Sequence, residues 1–272
     1  MKYLLIGLIL FTNIAVQAQV KTRTLEKVME LQVPGEAISG KPGTRGATVA
    51  WHPIVKKYFT AMAGNYQYPM TIFDAKGKRV SSIYSSCQVD TRGLWYNPST
   101  KSIQGNGFDQ TGWFSYKLDA TGTSLLKLDT LETGMHQPGS QPVGTFNPAE
   151  KTVLFLSGDT VIPYKAADRK PTGKNMKIRW GISSATDETS TEGRLANYNY
   201  TTLIYTGIPN AQLGFLNFID FQVELYNQKT GLLTQVLKLP EGAPAETSFN
   251  FAYANGMYWF FNMTDRKWIG YK

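Results

Sequence analysis

The stretch Val49-Ala50-Trp51-His52-Pro53 decides how the rest of this sequence is interpreted, because versions of it return along the chain. It comes back 45 residues later as Leu94-Trp95-Tyr96-Asn97-Pro98, and again as Gly144-Thr145-Phe146-Asn147-Pro148. Each copy has the pattern of an aromatic strand that ends in a reverse turn, since Asn tolerates unusual backbone angles and Pro presets its own. Weaker copies lie at 197–200, which predicts a second strand at 202–206, and at 251–256.

A second element recurs between these copies. It is seen in Asp74-Ala75-Lys76-Gly77 and, again 45 residues on, in Asp119-Ala120-Thr121-Gly122, with degenerate versions at 167–173 and 225–231. Each is a strand that ends in an Asp/Asn-x-x-Gly hairpin loop, where Gly takes the left-handed conformation. A return strand follows each loop, so the sequence predicts an all-β chain built from four-stranded units.

Five such units resemble the blades of a β-propeller, an architecture recognised by repeats of about 40–50 residues. The fifth unit ends with the chain at Lys272 and lacks one strand, whereas residues 25–31 are strand-like and have no unit of their own. Pairing the two would close the ring and remove a free sheet edge. We therefore predict an all-β, five-bladed β-propeller closed by an N-terminal strand.

Other architectures stay open from the sequence alone. They are a six-bladed propeller, a two-sheet sandwich and two smaller β domains, and the strands between residues 207 and 220 cannot be placed. The resemblance is architectural, because no unit has a Trp-Asp or kelch signature. It indicates no specific functional family.

The N-terminus has the pattern of a secretory signal peptide. Lys2 precedes an almost unbroken apolar run from Tyr3 to Ile14, and Val16-Gln17-Ala18 is the small-x-small pattern that signal peptidase recognises. The apolar run is shorter than the ~20 residues that a spanning helix needs, although a retained membrane anchor stays an alternative. We predict a signal peptide at 1–18, a single propeller domain at 19–272, and an exported protein that is secreted or periplasmic, with no membrane span in the mature chain.

Composition excludes several kinds of site. A single cysteine excludes an intrachain disulfide and a cysteine-based zinc cluster, and two histidines exclude a multi-histidine metal site. We predict no metal and no cofactor. The formal net charge is +8, yet the basic turns contain no aromatic residue of the kind that stacks on bases, so nucleic acid is not predicted as a partner.

The predicted ring has two unlike faces. One has the short, basic turns between the first and second and between the third and fourth strands of each unit. The other has long, irregular loops, where binding residues on rigid scaffolds are usually found, so we predict function on this irregular face. The candidate ligand-binding residues there are Arg45, Arg92, Arg194, Trp113, Tyr66 and His136.

The types of side chain at the predicted site indicate classes of ligand, but they do not identify one ligand. Arginine forks suit carboxylate or phosphate groups, and exposed aromatic rings suit sugars or peptides. The predicted inner strands contain no Asp or Glu, whereas glycan cleavage needs a pair of carboxylates, so no catalytic residue is predicted. We predict a non-catalytic, exported propeller that binds a glycan, an anionic small molecule or an envelope protein. A secreted hydrolase or lyase acting on a polysaccharide or an anionic metabolite is the alternative.

Overall fold

The computed structural model describes residues 20–35, 43, 45–64, 70–184 and 193–272. Within these ranges the chain forms five small sheets, and the innermost strands of the sheets contact one another in cyclic order. The protein is a five-bladed β-propeller, as predicted. The proposed signal peptide and Tyr66 lie outside the described residues. In the described ranges we find no helix of the length and apolarity that crossing a membrane requires.

Blades 1 to 3 follow one another along the chain. Neighbouring strands within each blade are antiparallel. Blade 1 consists of β3 (Arg45–His52), β4 (Lys57–Ala63) and β5 (Thr71–Asp74), and Arg79 forms a bridge to Phe73 at its outer edge. Blade 2 consists of β6 (Thr91–Asn97), β7 (Ser102–Gly107), β8 (Trp113–Leu118) and β9 (Leu125–Glu132). Blade 3 consists of β10 (Thr145–Asn147), β11 (Thr152–Ser157), β12 (Thr160–Lys165) and β13 (Met176–Lys177).

The N-terminal segment completes blades 4 and 5. Blade 4 consists of β14 (Ile204–Tyr205), β15 (Leu213–Asn217), β16 (Gln222–Tyr226) and β17 (Leu233–Lys238), and β1 (Lys21–Thr24) adds to it as a parallel fifth strand. Blade 5 consists of β18 (Phe251–Ala254), β19 (Met257–Asn262) and β20 (Lys267–Tyr271), with β2 (Lys27–Gln32) as its outermost strand. The predicted closure by an N-terminal strand is therefore confirmed.

The strand assignment within the fourth unit is corrected by the structure. Residues 197–200 lie in and just after a short 3₁₀ turn, Arg194–Asn197, and residues 204–205 form the inner strand rather than the second one. The second strand is β15, which lies beyond a seven-residue connection at 206–212. Because of the long connection containing Pro209, the sequence pattern predicted the second strand of this blade where its inner strand lies.

The hydrophobic core is divided among the seams between neighbouring blades. Each of the five clusters formed by described residues joins two adjacent sheets. The seam between blades 5 and 1, for example, buries Leu31, Tyr58, Trp259 and Trp268 to 2% exposure or less. Because the first and last blades meet in such a seam, ring closure depends on burial of apolar surface as well as on strand pairing.

Phe249 closes the axis at the end where the inner strands begin. Its backbone N–H donates to Thr201 Oγ1 of blade 4 at 2.7 Å, and the guanidinium carbon of Arg92 of blade 2 lies 5.4 Å from its ring centroid. The next residue, Asn250, donates its N–H to the carbonyl of Gly46 of blade 1 at 2.8 Å. The Phe249 side chain belongs to the same cluster as Ala47, Leu94 and Val143 from blades 1, 2 and 3.

Glycine allows the inner strands to approach one another at this closed end. A Cβ on Gly93 would lie 2.6 Å from the backbone nitrogen and oxygen of Gly144, which belongs to the neighbouring blade. Such a contact cannot be relieved by a side-chain rotation, because both atoms are backbone. The axis therefore opens at the opposite face, where the tight turns lie.

Candidate functional site

Five aromatic side chains occupy one repeated position at the open end of the axis. Each lies near the end of an inner strand and packs in the seam with the preceding blade, because strand side chains alternate between the two faces of a sheet. In blades 1, 2, 3 and 5 the aromatic residue stands two residues before the first turn residue, at positions 53, 98, 148 and 255, whereas in blade 4 it is the last residue of β14. The five are Trp51, Tyr96, Phe146, Tyr205 and Tyr253.

These rings surround a cavity of about 340 Å³ on the propeller axis. Cavities of about 300–1,000 Å³ that are mostly apolar are typical of small-molecule sites. Pro53, Pro98 and Pro148 form part of its rim, and Thr145 and Asn255 are among its polar residues. Among its lining residues the only ionisable side chains are tyrosines, so the pocket has a neutral wall.

The hydroxyls of Tyr205 and Tyr253 in the pocket wall are protonated at neutral pH. Burial raises the pKa of Tyr205, and the nearby charge of Glu150 raises it further. Burial also raises the pKa of Tyr253, against a smaller opposing effect of Arg23. Both groups can therefore donate as well as accept a hydrogen bond.

Neighbouring side chains hold the pocket rings in place. The rings of Trp51 and Tyr58 lie 4.5 Å apart, and Asn255 Nδ2 donates to the Tyr58 hydroxyl at 2.7 Å. His52 lies 4.6 Å from the Tyr96 ring, and its Nε2 is 3.2 Å from the Lys101 carbonyl oxygen. Because the rings are packed before any ligand arrives, little conformational entropy is lost on binding.

The predicted arginines of the irregular face each interact within their own surroundings. Arg92 is 4% exposed, forms an ion pair with Asp90 and donates from Nε to Gln141 Oε1 at 2.9 Å. Arg45 Nη1 donates to Ser248 Oγ at 3.3 Å, and Arg194 Nη1 donates to the Trp180 carbonyl at 3.3 Å. No hydrogen bond or ion pair found among the described residues joins two of these arginines.

The other predicted site residues have varied environments. Trp113 is 0% exposed, and its Nε1 donates to the His136 carbonyl at 3.0 Å, so its ring lies in a seam rather than on the surface. His136 is partly exposed, and its Nε2 is 3.0 Å from the Thr133 carbonyl oxygen. Tyr66 lies outside the described residues. Ligand binding by all six candidates stays a prediction.

Two buried residues with potential chemistry, Cys87 and His52, do not line the pocket. Burial raises the pKa of the Cys87 thiol to about 12, so its thiolate is not populated at neutral pH. Burial is also the main cause that lowers the pKa of His52, whose imidazole is neutral at pH 7. Among the described residues no group of three or more His, Cys, Asp or Glu side chains has an arrangement suited to a metal ion.

The sequence contains a signal for the axial pocket that the prediction of a functional irregular face overlooks. Trp51, Tyr96 and Phe146 each precede a turn proline by two residues, a position that also suits packing between blades. In a ring, the same position in each repeat lies at the same height around the axis. Aromatic residues repeated at the C-terminal end of each inner strand therefore indicate a common rim around the axis. This rim lies on the face that has the short, basic turns.

One comparison with a solved structure supports the fold. The chain is similar to the glutaminyl cyclase of Myxococcus xanthus at 8% identity, with a TM-score of 0.54 over 93% of this chain and 98% of that one. It is also similar, at 8% identity and a TM-score of 0.43, to the β-propeller domain of Cps50 (Swd1) from Myceliophteria thermophila, over 83% of this chain and 82% of that one. No family model and no curated protein sequence matches the chain.

Proposed function

We propose that this protein is an exported, non-catalytic propeller that binds the ring of a sugar, or a similar ring with an apolar face, in the axial pocket. The aromatic rim of Trp51, Tyr96, Phe146, Tyr205 and Tyr253 is the observation that supports the proposal. Aromatic faces pack against the C–H face of a sugar ring, and the protonated tyrosine hydroxyls offer hydrogen bonds to its hydroxyl groups.

The same pocket argues against catalysis within it. General acid–base chemistry uses a group whose pKa lies near the working pH, such as a carboxyl or an imidazole. The lining residues include no Asp, Glu, His, Lys, Arg or Cys, and the pKa values of Tyr205 and Tyr253 are raised above the ordinary tyrosine value. Because a glutaminyl cyclase has a similar fold, glutaminyl cyclase activity is the catalytic activity to assay first.

Replacing Trp51 by Ala is expected to weaken ligand binding about 30-fold, since a central aromatic anchor contributes about 2 kcal/mol or more. The measurement is a titration of intrinsic tryptophan fluorescence with methyl glycosides of glucose, galactose, mannose and N-acetylglucosamine. Trp51 and Trp95 both line the pocket and serve as reporters in the unmodified protein.

Tyr84→Ala is the matched control, because Tyr84 is 73% exposed and lies outside the pocket. It is expected to leave the titration unchanged. Equal binding by the Trp51 variant and the unmodified protein contradicts the axial site. Loss of binding in an Arg45→Ala variant instead would indicate that the ligand binds at the irregular face.

Export rests on the N-terminal sequence pattern and is tested separately. When the full chain is expressed in a bacterium with a general secretion system, the mature protein is expected to begin at Gln19. Mass spectrometry of the protein from the periplasm or the medium measures this. An intact Met1 on a membrane-bound product would show a retained anchor.

A further inference from the structure

Three lysines occupy equivalent positions around the rim of the axial pocket. Lys56, Lys101 and Lys151 each follow a rim proline by three residues, in the hairpin turns of blades 1, 2 and 3. Each immediately precedes the second strand of its blade. Their φ angles are 52°, 54° and 54°, so the three turns share one geometry and present three lysines at the same level of consecutive blades.

Lysine at a left-handed backbone position needs an explanation, because other residues fit that conformation with less strain. A residue with a Cβ is strained there, and Asn is one of the few side chains that tolerates the strain well. The first-to-second strand turns of blades 4 and 5 contain left-handed asparagines, Asn210 and Asn255, at other places within the turn. Left-handed Asn is thus compatible with turns on this face, and the repeated use of lysine at one position in blades 1 to 3 points to a role for the charge.

The charges of these lysines are not used within the described part of the chain. All three residues are exposed, and none of the salt bridges formed by described residues includes them. By contrast, Arg169 and Arg266 are also left-handed, but their guanidinium groups donate to the carbonyls of Ala167 and Gly43.

The whole face around the pocket has the same sign of charge. Its described turns contain nine Lys and Arg against three Asp and Glu. The described loops at the opposite face contain seven Asp and Glu against five Lys and Arg, when Arg45 and Arg92 at the strand ends are included. Such an asymmetry attracts anions to the pocket face and repels them from the other. The turns counted on the pocket face are residues 53–56, 75–79, 98–101, 119–124, 148–151, 166–171, 206–212, 227–232 and 255–256.

We propose that the ligand is an acidic polysaccharide, with one sugar ring in the axial pocket and carboxylates of neighbouring sugars paired with Lys56, Lys101 and Lys151. This inference rests on the proposed function. A neutral aromatic pocket with lysines in the adjoining turns of three blades suits a chain whose rings have apolar faces and whose carboxylates lie at their edges. A nucleic acid fits less well, because it is bound through several aromatic residues along a basic groove, and here the rings converge on one axial point.

The test compares binding of oligogalacturonate with that of the same oligosaccharide after its carboxyls are reduced to alcohols. The unmodified protein is expected to bind the acidic form at least tenfold more tightly, and the preference should fall as salt is added. A triple variant, Lys56→Asn, Lys101→Asn and Lys151→Asn, is expected to lose that preference. Its melting temperature should stay the same or rise, because Asn relieves the left-handed strain.

A matched triple variant removes the same charge from outer strands. It is Lys21→Gln, Lys127→Gln and Lys177→Gln, and it should keep the preference. If both triple variants lose it equally, net charge rather than the rim is responsible and the inference is wrong. The inference is also wrong if the turn variant keeps the preference, or if single-stranded DNA competes as well as oligogalacturonate.

The failure of this inference can be told apart from failure of the proposed function. If Trp51→Ala weakens binding of the carboxyl-reduced sugar while acidic sugars bind no more tightly than reduced ones, binding in the axial pocket is supported. The proposal of an acidic ligand is then rejected. If oligogalacturonate, alginate and hyaluronan all fail to bind, the acidic ligand is likewise rejected. If acidic sugars bind but Trp51→Ala has no effect, the axial pocket itself is rejected.

Discussion

A chain that starts after Val33 is expected to lose its cooperatively folded state. This truncation removes β1 and β2, leaves the edge of β20 unpaired and exposes the seam between blades 5 and 1. It also removes Leu25, Leu31 and Val33, which are 1%, 0% and 2% exposed. Burial of three such side chains contributes about 5 kcal/mol or more, which is comparable with the whole stability of many domains.

Circular dichroism and urea unfolding measure this effect against a chain that starts at Val20. The longer chain retains both strands and should unfold cooperatively. Addition of a synthetic peptide covering residues 20–34 to the truncated chain should restore structure in proportion to the peptide concentration, because folding is then linked to peptide binding. A truncated chain with an unchanged urea midpoint would contradict a role of the N-terminal strands in ring closure.

Replacement of Glu224 by Ala is expected to lower the free energy of unfolding by about 3 kcal/mol or more, because each buried donor left without an acceptor costs about 1–3 kcal/mol. Glu224 lies on β16 and is 3% exposed. Its Oε2 accepts hydrogen bonds from the hydroxyls of Tyr198 and Tyr226 at 2.6 and 2.5 Å. Its Oε1 accepts from the side-chain amides of Asn217 and Gln222 at 3.1 and 2.6 Å.

The alanine variant leaves four buried donors without their acceptor, and Glu224→Gln is its matched control. An amide oxygen still accepts from Asn217 and Gln222, and the two tyrosine hydroxyls can rotate to accept from the new NH₂ group. We expect this variant to lose about 1 kcal/mol. Thermal and urea unfolding measure both variants. Equal losses would show that the amide cannot replace the carboxyl group of Glu224, and would contradict the view that the pattern of hydrogen bonds stabilises blade 4.

The sequence predicted the architecture because two local turn signals recur along the chain. Asn97-Pro98 and Asn147-Pro148 mark the same reverse turn in successive blades, and Asp74 and Asp119 mark the same hairpin. These signals depend on side chains that form hydrogen bonds with nearby backbone groups, so they can be recognised in the sequence without knowledge of tertiary contacts. The fourth blade lacks a turn proline in the same place, and there the strand assignment was wrong.

Other features depend on residues that are distant in sequence. The parallel pairing of β1 with β17 joins Lys21 to Gln235, and β1 is fully exposed, so no pattern of burial marks it. The partners of Glu224 come from β15, β16 and the segment before β14, and a lone carboxylate in a strand gives no indication that tyrosines surround it.

By itself, the sequence determined the repeat and predicted the ring of blades and the segment that closes it, because these follow from local turns and from a strand left over at one end and missing at the other. Tertiary structure alone decided which end of the axis is open. That depends on Phe249 and Asn250 packing across the inner strands at one end, and on five aromatic residues from separate blades meeting at the other. Side chains about 50 residues apart in sequence become neighbours only when the ring closes.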